Sequence, residues 1–212
     1  MEPYYQHLYD IPVIPDSSYS VINMEADWFL DEALANTGTG TNFGIDFTLE
    51  RFLKDGYYYL ATVSLFESKY TGGDGIQRDT RFNSNYVVNL LFGKEWTIGK
   101  SQNKILGING RLNFMGGQRI IPVNHELSAI AGQVVYDYSR AFEEQKPHVY
   151  HVNATVNYRV NKEKTAHIFS VQIMNLLGTK EFYGYHYNYR RDEVEMFALS
   201  VMVPNISYKL EF

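Results

Sequence analysis

Four places in this chain of 212 residues hold side chains whose types and spacing could do chemistry. Gly72-Gly73-Asp74-Gly75 resembles a phosphate- or cation-cradling loop. It lacks the Lys-Ser/Thr ending of a phosphate loop and the spaced acids of a calcium loop, and it reads as a surface turn. His148 and His151 stand three apart, which on a strand puts them on opposite faces and spoils them as joint metal ligands. Asp46 and Glu50 share one strand face. Four strand residues span about 13 Å, too far for paired acid–base work, so wall polarity is the better reading. The fourth place is a run of rings and cations from Phe182 to Arg191. Tyr183, Tyr185, Tyr187 and Tyr189 could stack on a ligand, and Arg190 and Arg191 could hold an anion. This run is the candidate ligand-contacting loop, with an aromatic belt plus loop packing as its plain alternative. No catalytic residue, metal ligand or cofactor emerges, and the chain does not read as an enzyme.

Composition narrows the classes further. Nineteen Lys and Arg against 24 Asp and Glu leave a net charge of −5, which argues against a nucleic-acid partner. Cysteine is absent, so thiol catalysis, disulfide scaffolds and thiolate zinc sites are excluded together. Mean hydropathy is −0.31, and no apolar run approaches the roughly 18 residues a spanning helix needs. Aromatic residues make up 16%, with 18 Tyr, 13 Phe and 2 Trp, and that bias favours strands.

The elements that would position these residues follow a two-residue period. Phe43, Ile45, Phe47 and Leu49 alternate with Asn42, Gly44, Asp46, Thr48 and Glu50, and Lys54-Asp55-Gly56 then supplies a tight hairpin. Tyr57–Tyr70 returns, the glycine-rich turn follows, and a strand is expected from about Arg81 to Ile98. Gly99–Lys104 reverses it into Ile105–Met115. An irregular stretch covers 116–146. From Val149, the residues Tyr150, Val152, Ala154, Val156 and Tyr158 oppose His151, Asn153, Thr155, Asn157 and Arg159. Asn161–Lys164 turns the chain into His167–Leu177, and a final strand is expected from about Met196. Asn153 and Asn205 lie inside strands, so neither reads as a glycosylation acceptor. Pro12–Gly40 reads as loop, with Glu25–Leu34 able to make a helical turn or two. The expected fold is all-β: an antiparallel up-and-down meander of about eight long strands, taken as one unit over 1–212.

The polar faces carry Asn, Thr, Ser, Gln, Arg, Lys and Glu where a small soluble barrel would pack its interior. Short turns alternate with long connections. Both features fit a transmembrane β-barrel with apolar residues facing lipid. Met1–Tyr9 is not a signal peptide and reads as a strand in progress, as in a piece of something longer or a cytosolic chain. At the other end Ile206, Tyr208, Leu210 and Phe212 alternate strictly with polar neighbours.

Several runs resemble the C-terminal barrel strands of TonB-dependent outer-membrane receptors, of the type with a carboxypeptidase-regulatory-like N-terminal domain. They are Gly44–Arg51, Ser64–Tyr70, Asn89–Glu95, Gly107–Gly117, Gln172–Gly178 and Pro204–Phe212. The resemblance implies about the last eight strands of a 22-stranded barrel, without plug domain or TonB box. It implies active uptake of a scarce nutrient (a siderophore, metal complex or glycan-type ligand) across the Gram-negative outer membrane. Outer-membrane lipid, the barrel-assembly machinery and, through the missing N-terminal part, the TonB complex would be the partners. Phe212 with Leu210, Tyr208 and Ile206 matches the family's barrel-assembly signal. Two other readings stay open: a self-contained small outer-membrane barrel for adhesion or anchoring, and a soluble β-barrel binding an apolar ligand.

Overall fold

The computed structural model describes residues 1–24 and 30–212. Among these residues thirteen strands run in chain order: β1 Glu2–Val13, β2 Ala35–Lys54, β3 Tyr57–Thr71, β4 Gln77–Asp79, β5 Tyr86–Ile98, β6 Lys104–Met115, β7 Arg119–Ile120, β8 Glu144–Gln145, β9 Val149–Asn161, β10 Ala166–Met174, β11 Glu181–Asn188, β12 Glu193–Leu199 and β13 Val203–Glu211. Among the described residues one α-helix, α1, covers His125–Ala131. Eight long strands form a single antiparallel sheet in the order β1-β2-β3-β5-β6-β9-β10-β13, with β4 paired to the end of β3. β7–β8 and β11–β12 are separate two-stranded ribbons. The all-β antiparallel meander expected from the sequence is therefore present. The sheet is open rather than closed into a barrel: among the described residues, β1 pairs along one edge only and so does β13.

Register turns the sequence alternation into two continuous faces, because residues opposite one another in an antiparallel pair project to the same side. Leu49, Ala61, Leu90, Leu112 and Val152 form one cross-strand row, and Ile108, Val156, Val171 and Ile206 form another. The neighbouring rows read Thr48, Thr62, Asn89, Asn113, His151 and Asn109, Thr155, Gln172, Asn205. Side chains of the polar face bond across the strands. Asn113 Nδ2 donates to Asn89 Oδ1, and Asn89 Nδ2 donates to Thr62 Oγ1 at 3.3 Å. Thr80 Oγ1 donates to Ser68 Oγ at 2.7 Å, Ser68 Oγ to Asn42 Oδ1 at 2.5 Å, and Asn42 Nδ2 to Gln6 Oε1 at 2.9 Å.

Among the described residues nothing covers the apolar face. Ile206 is 80% exposed, Leu49 61% and Val156 42%, while Val152 is half-buried. The accessible surface is 13974 Å², against about 10,000 Å² for a folded globular chain of 24.6 kDa. What hydrophobic core there is sits mainly at one end of the sheet, where Tyr70, Ala141 and Phe142 pack with Ile22 and Ile121.

That end is the one with the long connections. Residues 14–34, 72–85, 116–148 and 175–202 all link strands there, whereas the opposite end has only 55–56, 99–103 and 162–165. Asp55 and Gly56 both take positive φ, 55° and 77°, the pair a two-residue hairpin of matching twist requires.

Several boundaries differ from the sequence reading. β2 starts at Ala35 rather than Asn42, and β5 starts at Tyr86 rather than Arg81. The last strand starts at Val203 rather than Met196, because Glu193–Leu199 pairs back on Glu181–Asn188. Residues 30–34 are not helical, and the rest of that expectation, Glu25–Phe29, lies outside the described residues.

Candidate functional site

The tyrosine-rich segment is a β-hairpin, not the loop its composition suggested. β11 and β12 pair from Glu181↔Leu199 to Asn188↔Glu193, with an irregularity at Tyr183 beside Gly184. Asn175 fastens its base. Asn175 is buried, at φ 51°, which Asn tolerates better than most residues. Its backbone N–H donates to Asn153 Oδ1 at 2.9 Å, and its Nδ2 donates to the carbonyls of Thr179 (2.9 Å) and Val201 (3.2 Å). Thr179 N–H donates back to Asn175 Oδ1 at 2.9 Å. Both ends of the 175–202 excursion thus meet on one amide.

The hairpin divides the six candidate residues. Tyr185 and Tyr187 share one face with Met196 and Val194, while Tyr183 lies near Phe197, ring centroids 6.2 Å apart. Tyr189 is at the tip, 81% exposed, edge-on to Tyr187 at 5.4 Å. Arg191 bonds Glu195 at 2.9 Å, and Arg190 is exposed. Tyr187 Oη donates to Asp192 Oδ1 at 2.5 Å, and that bond holds the phenol above its ordinary pKa. The tip residues Tyr187, Tyr189, Arg190 and Arg191 are thus occupied with the turn itself or project into solvent.

Tyr183 and Tyr185 instead line a cavity of about 310 Å³ at the base of the hairpin. Its other walls come from the 116–148 connection and from Arg81. Three cations face it, Arg81, Arg119 and Lys146, beside Tyr136, Tyr138 and Phe182. Lys146 Nζ stands over the Phe182 ring at 5.3 Å. Arg119 is anchored by Asp79 at 3.4 Å and by the Asn83 carbonyl at 3.3 Å, and the Arg81 guanidinium donates to the Asn23 carbonyl at 3.1 Å. Burial, with Glu144 nearby, holds the Tyr185 phenol above its ordinary value. The sequence run pointed to the hairpin but not to these cations, which are 37 to 104 residues away in the chain and are brought in by the fold of the long connections.

The remaining candidates stay apart. Asp74 is taken by Arg78, which donates to both carboxylate oxygens at 2.9 and 2.7 Å, so Gly72–Gly75 is a structured turn. His148 stacks edge-on against Phe114 at 5.9 Å, and His151 meets Glu181 at 2.7 Å. No cluster of three potential metal ligands occurs among the described residues. Ile206, Tyr208 and Leu210 sit on the edge strand β13 opposite Val171, Phe169 and His167, and Phe212 is 98% exposed. Tyr208 Oη is 2.8 Å from His167 Nδ1. Comparison with protein-family models, with curated proteins and with solved structures gives no match.

Proposed function

We propose that this chain is a strip of the wall of a TonB-dependent outer-membrane receptor and that it takes part in the active import of a scarce nutrient. The observation that carries the membrane reading is the uncovered apolar face spanning eight strands. In water such a face costs about 25 cal/mol for each Å² left exposed, and contiguous patches of this size mark a surface meant for lipid or another apolar partner. Against acyl chains that cost vanishes, while the opposite face of Asn, Thr, Gln and Ser side chains can stay wet in a pore. Unequal ends support one fixed orientation, short turns on the periplasmic side and the hairpin with its cavity outside. The assignment to the TonB-dependent class rests on the sequence resemblance, and with it the energy source and the assembly machinery as partners.

The test uses the absence of native cysteine, which makes any introduced thiol unique within this chain. Val156→Cys, Asn157→Cys and Tyr189→Cys are made in the full gene product in its own Gram-negative cell. A membrane-impermeant maleimide is expected to label Tyr189→Cys on intact cells, and a small water-soluble one to reach Asn157→Cys. Val156→Cys is expected to react only after detergent denaturation. Equal labelling at positions 156 and 189 before denaturation, or recovery of the protein in the soluble fraction, would sink the membrane reading.

The eight-strand sheet with two unpaired edges favours one further reading, a small barrel closed by β1 against β13, since eight strands suffice for the smallest outer-membrane barrels. Cross-linking between single cysteines on β1 and β13 separates the two. Efficient bridging supports the small barrel, and its failure in correctly inserted protein supports a strip with further strands on both sides.

A further inference from the structure

We infer that the short-turn end of the sheet holds anionic phospholipid headgroups, with Lys94 and Lys104 as their contacts on the lipid-facing side. This inference rests on the membrane reading just proposed and names the lipid class that face selects. Charge is unevenly shared along the molecule. The chain as a whole is acidic, yet segments 50–57, 94–104, 159–167 and 209–212 at the short-turn end carry nine Lys and Arg against five Asp and Glu, leaving ten and 19 for the rest.

Register then separates the two signs by face. Lys94 stands between Tyr57 and Ile108, and Lys104 between Ile98 and Val160, so both lie on the apolar face. The strand carboxylates of this end, Glu50, Glu95 and Glu211, lie opposite Leu60, Gly107 and Ala166 on the polar face. There Glu211 already neutralises Arg159 at 3.1 Å and Lys209 at 2.7 Å. Two further acids sit in the turns: Asp55 bonds Arg51 at 3.2 Å, and Glu163 is exposed between Lys162 and Lys164. Arg51 is therefore spoken for. Lys94 Nζ donates to the Asp55 carbonyl at 2.9 Å and stands 4.9 Å from the centre of the Tyr57 ring. Among the described residues neither Lys94 nor Lys104 makes an ion pair.

An unpaired ammonium is costly at the hydrocarbon centre and nearly free at the boundary, where its stem lies along apolar surface and its head reaches the phosphates. Rings on the same face fit that level. Trp96, Tyr158 and Tyr208 share one register row, two residues along β5 from Lys94 and two from Ile98, the partner of Lys104. Amphipathic rings collect at the headgroup boundary. A zwitterionic headgroup carries its own ammonium beside the phosphate, whereas an anionic one brings uncompensated charge, for which a lysine near the surface gives a preference of roughly fivefold.

The test places Ile98→Cys, opposite Lys104, and Leu65→Cys, on the same face near the long connections, singly in the full gene product with any other cysteine replaced. Each is labelled with bimane and reconstituted in phosphatidylcholine bilayers. Quenching by phosphatidylglycerol or phosphatidylcholine spin-labelled near the headgroup reads which lipid touches each site. At Ile98→Cys the anionic lipid is expected to quench at roughly a fifth of the mole fraction the zwitterionic one needs, and the difference is expected to shrink in high salt. At Leu65→Cys the two are expected to quench alike. Lys94→Gln with Lys104→Gln is expected to abolish the preference and Lys94→Arg with Lys104→Arg to keep it, while an unchanged Leu65→Cys signal verifies that each variant is inserted. Equal quenching by the two lipids at Ile98→Cys, or a preference that survives the double glutamine substitution, would overturn the assignment. Quenching by neither lipid at either position would overturn the membrane reading itself, so the two failures are distinguishable.

Discussion

At the scale of single residues, Gly93 and Asp74 make the most exposed predictions. The hydroxyl end of the Tyr58 ring lies over Gly93 on the polar face, where an added Cβ would come within 2.2 Å of the ring. At Gly107, also on that face, the nearest atom would be 3.6 Å away. Gly93→Ala is therefore expected to cost about 1–3 kcal/mol through overpacking, and Gly107→Ala much less. Urea titration of the membrane-inserted protein measures both, and equal effects would refute the argument. Asp74 answers to pH. The Arg78 hydrogen bonds hold its carboxyl below the ordinary 3.8. A carboxyl with a depressed folded pKa contributes stability that is complete above the unfolded value and is lost as pH falls through the lower folded one. Protease resistance of the 72–85 connection is thus expected to persist at pH 5 and to fall below about pH 4. In Asp74→Asn the resistance is expected to be lower at pH 7 and flat across that window. A wild-type loop that opens between pH 6 and 5 would contradict this.

At the scale of elements, the β11–β12 hairpin depends on Asn175 for its seat. Asn175→Ala removes two donated bonds and one accepted bond and leaves the part-buried Thr179 and Val201 carbonyls without these partners, a loss of about 1–3 kcal/mol in all. Faster proteolytic cleavage between 178 and 202 is expected, with the β9–β10 pairing unaffected. Hydrogen exchange of the two regions tests this, and uniform acceleration would refute it. This hairpin also marks where the sequence stopped being legible. The run Phe182–Arg191 has rings at nearly every position, so its alternation carries no polar–apolar contrast. The second half of its partner strand, Met196–Leu199, reads as the start of the final strand because both are apolar and only six residues separate Leu199 from Ile206. The same lack of contrast hid the start of β2. Ala35–Thr41 is small and polar, and it is a strand because Gly38 and Gly40 let Ile11, Val13 and Leu8 of β1 lie close against it.

At the scale of the whole molecule, the long strands were legible wherever one face was apolar and the other polar, as in Val149–Asn161 and Phe43–Leu49. The tight turn was legible from Asp55-Gly56 alone. The cavity was not, since its cations come from Arg81, Arg119 and Lys146, three positions with no shared local pattern, and only the folding of the 72–85 and 116–148 connections joins them. The division of labour between the two ends also predicts a dependence on surroundings. With an apolar face uncovered and two unpaired edges, the isolated chain is expected to associate or aggregate in detergent-free buffer. A monomeric species with cooperative thermal unfolding there, measured by light scattering and calorimetry, would contradict that expectation.

The two-residue link between β2 and β3 leaves no slack. Because successive side chains point opposite ways, deleting a single residue from the middle of β3 would swap greasy and watery positions over the remainder of the strand. The 33 residues joining β6 to β9 can lengthen or shorten with no such penalty. Insertions and deletions among natural variants should therefore collect at one rim, and the residues that meet the outside world can be rewritten there while the staves stay fixed.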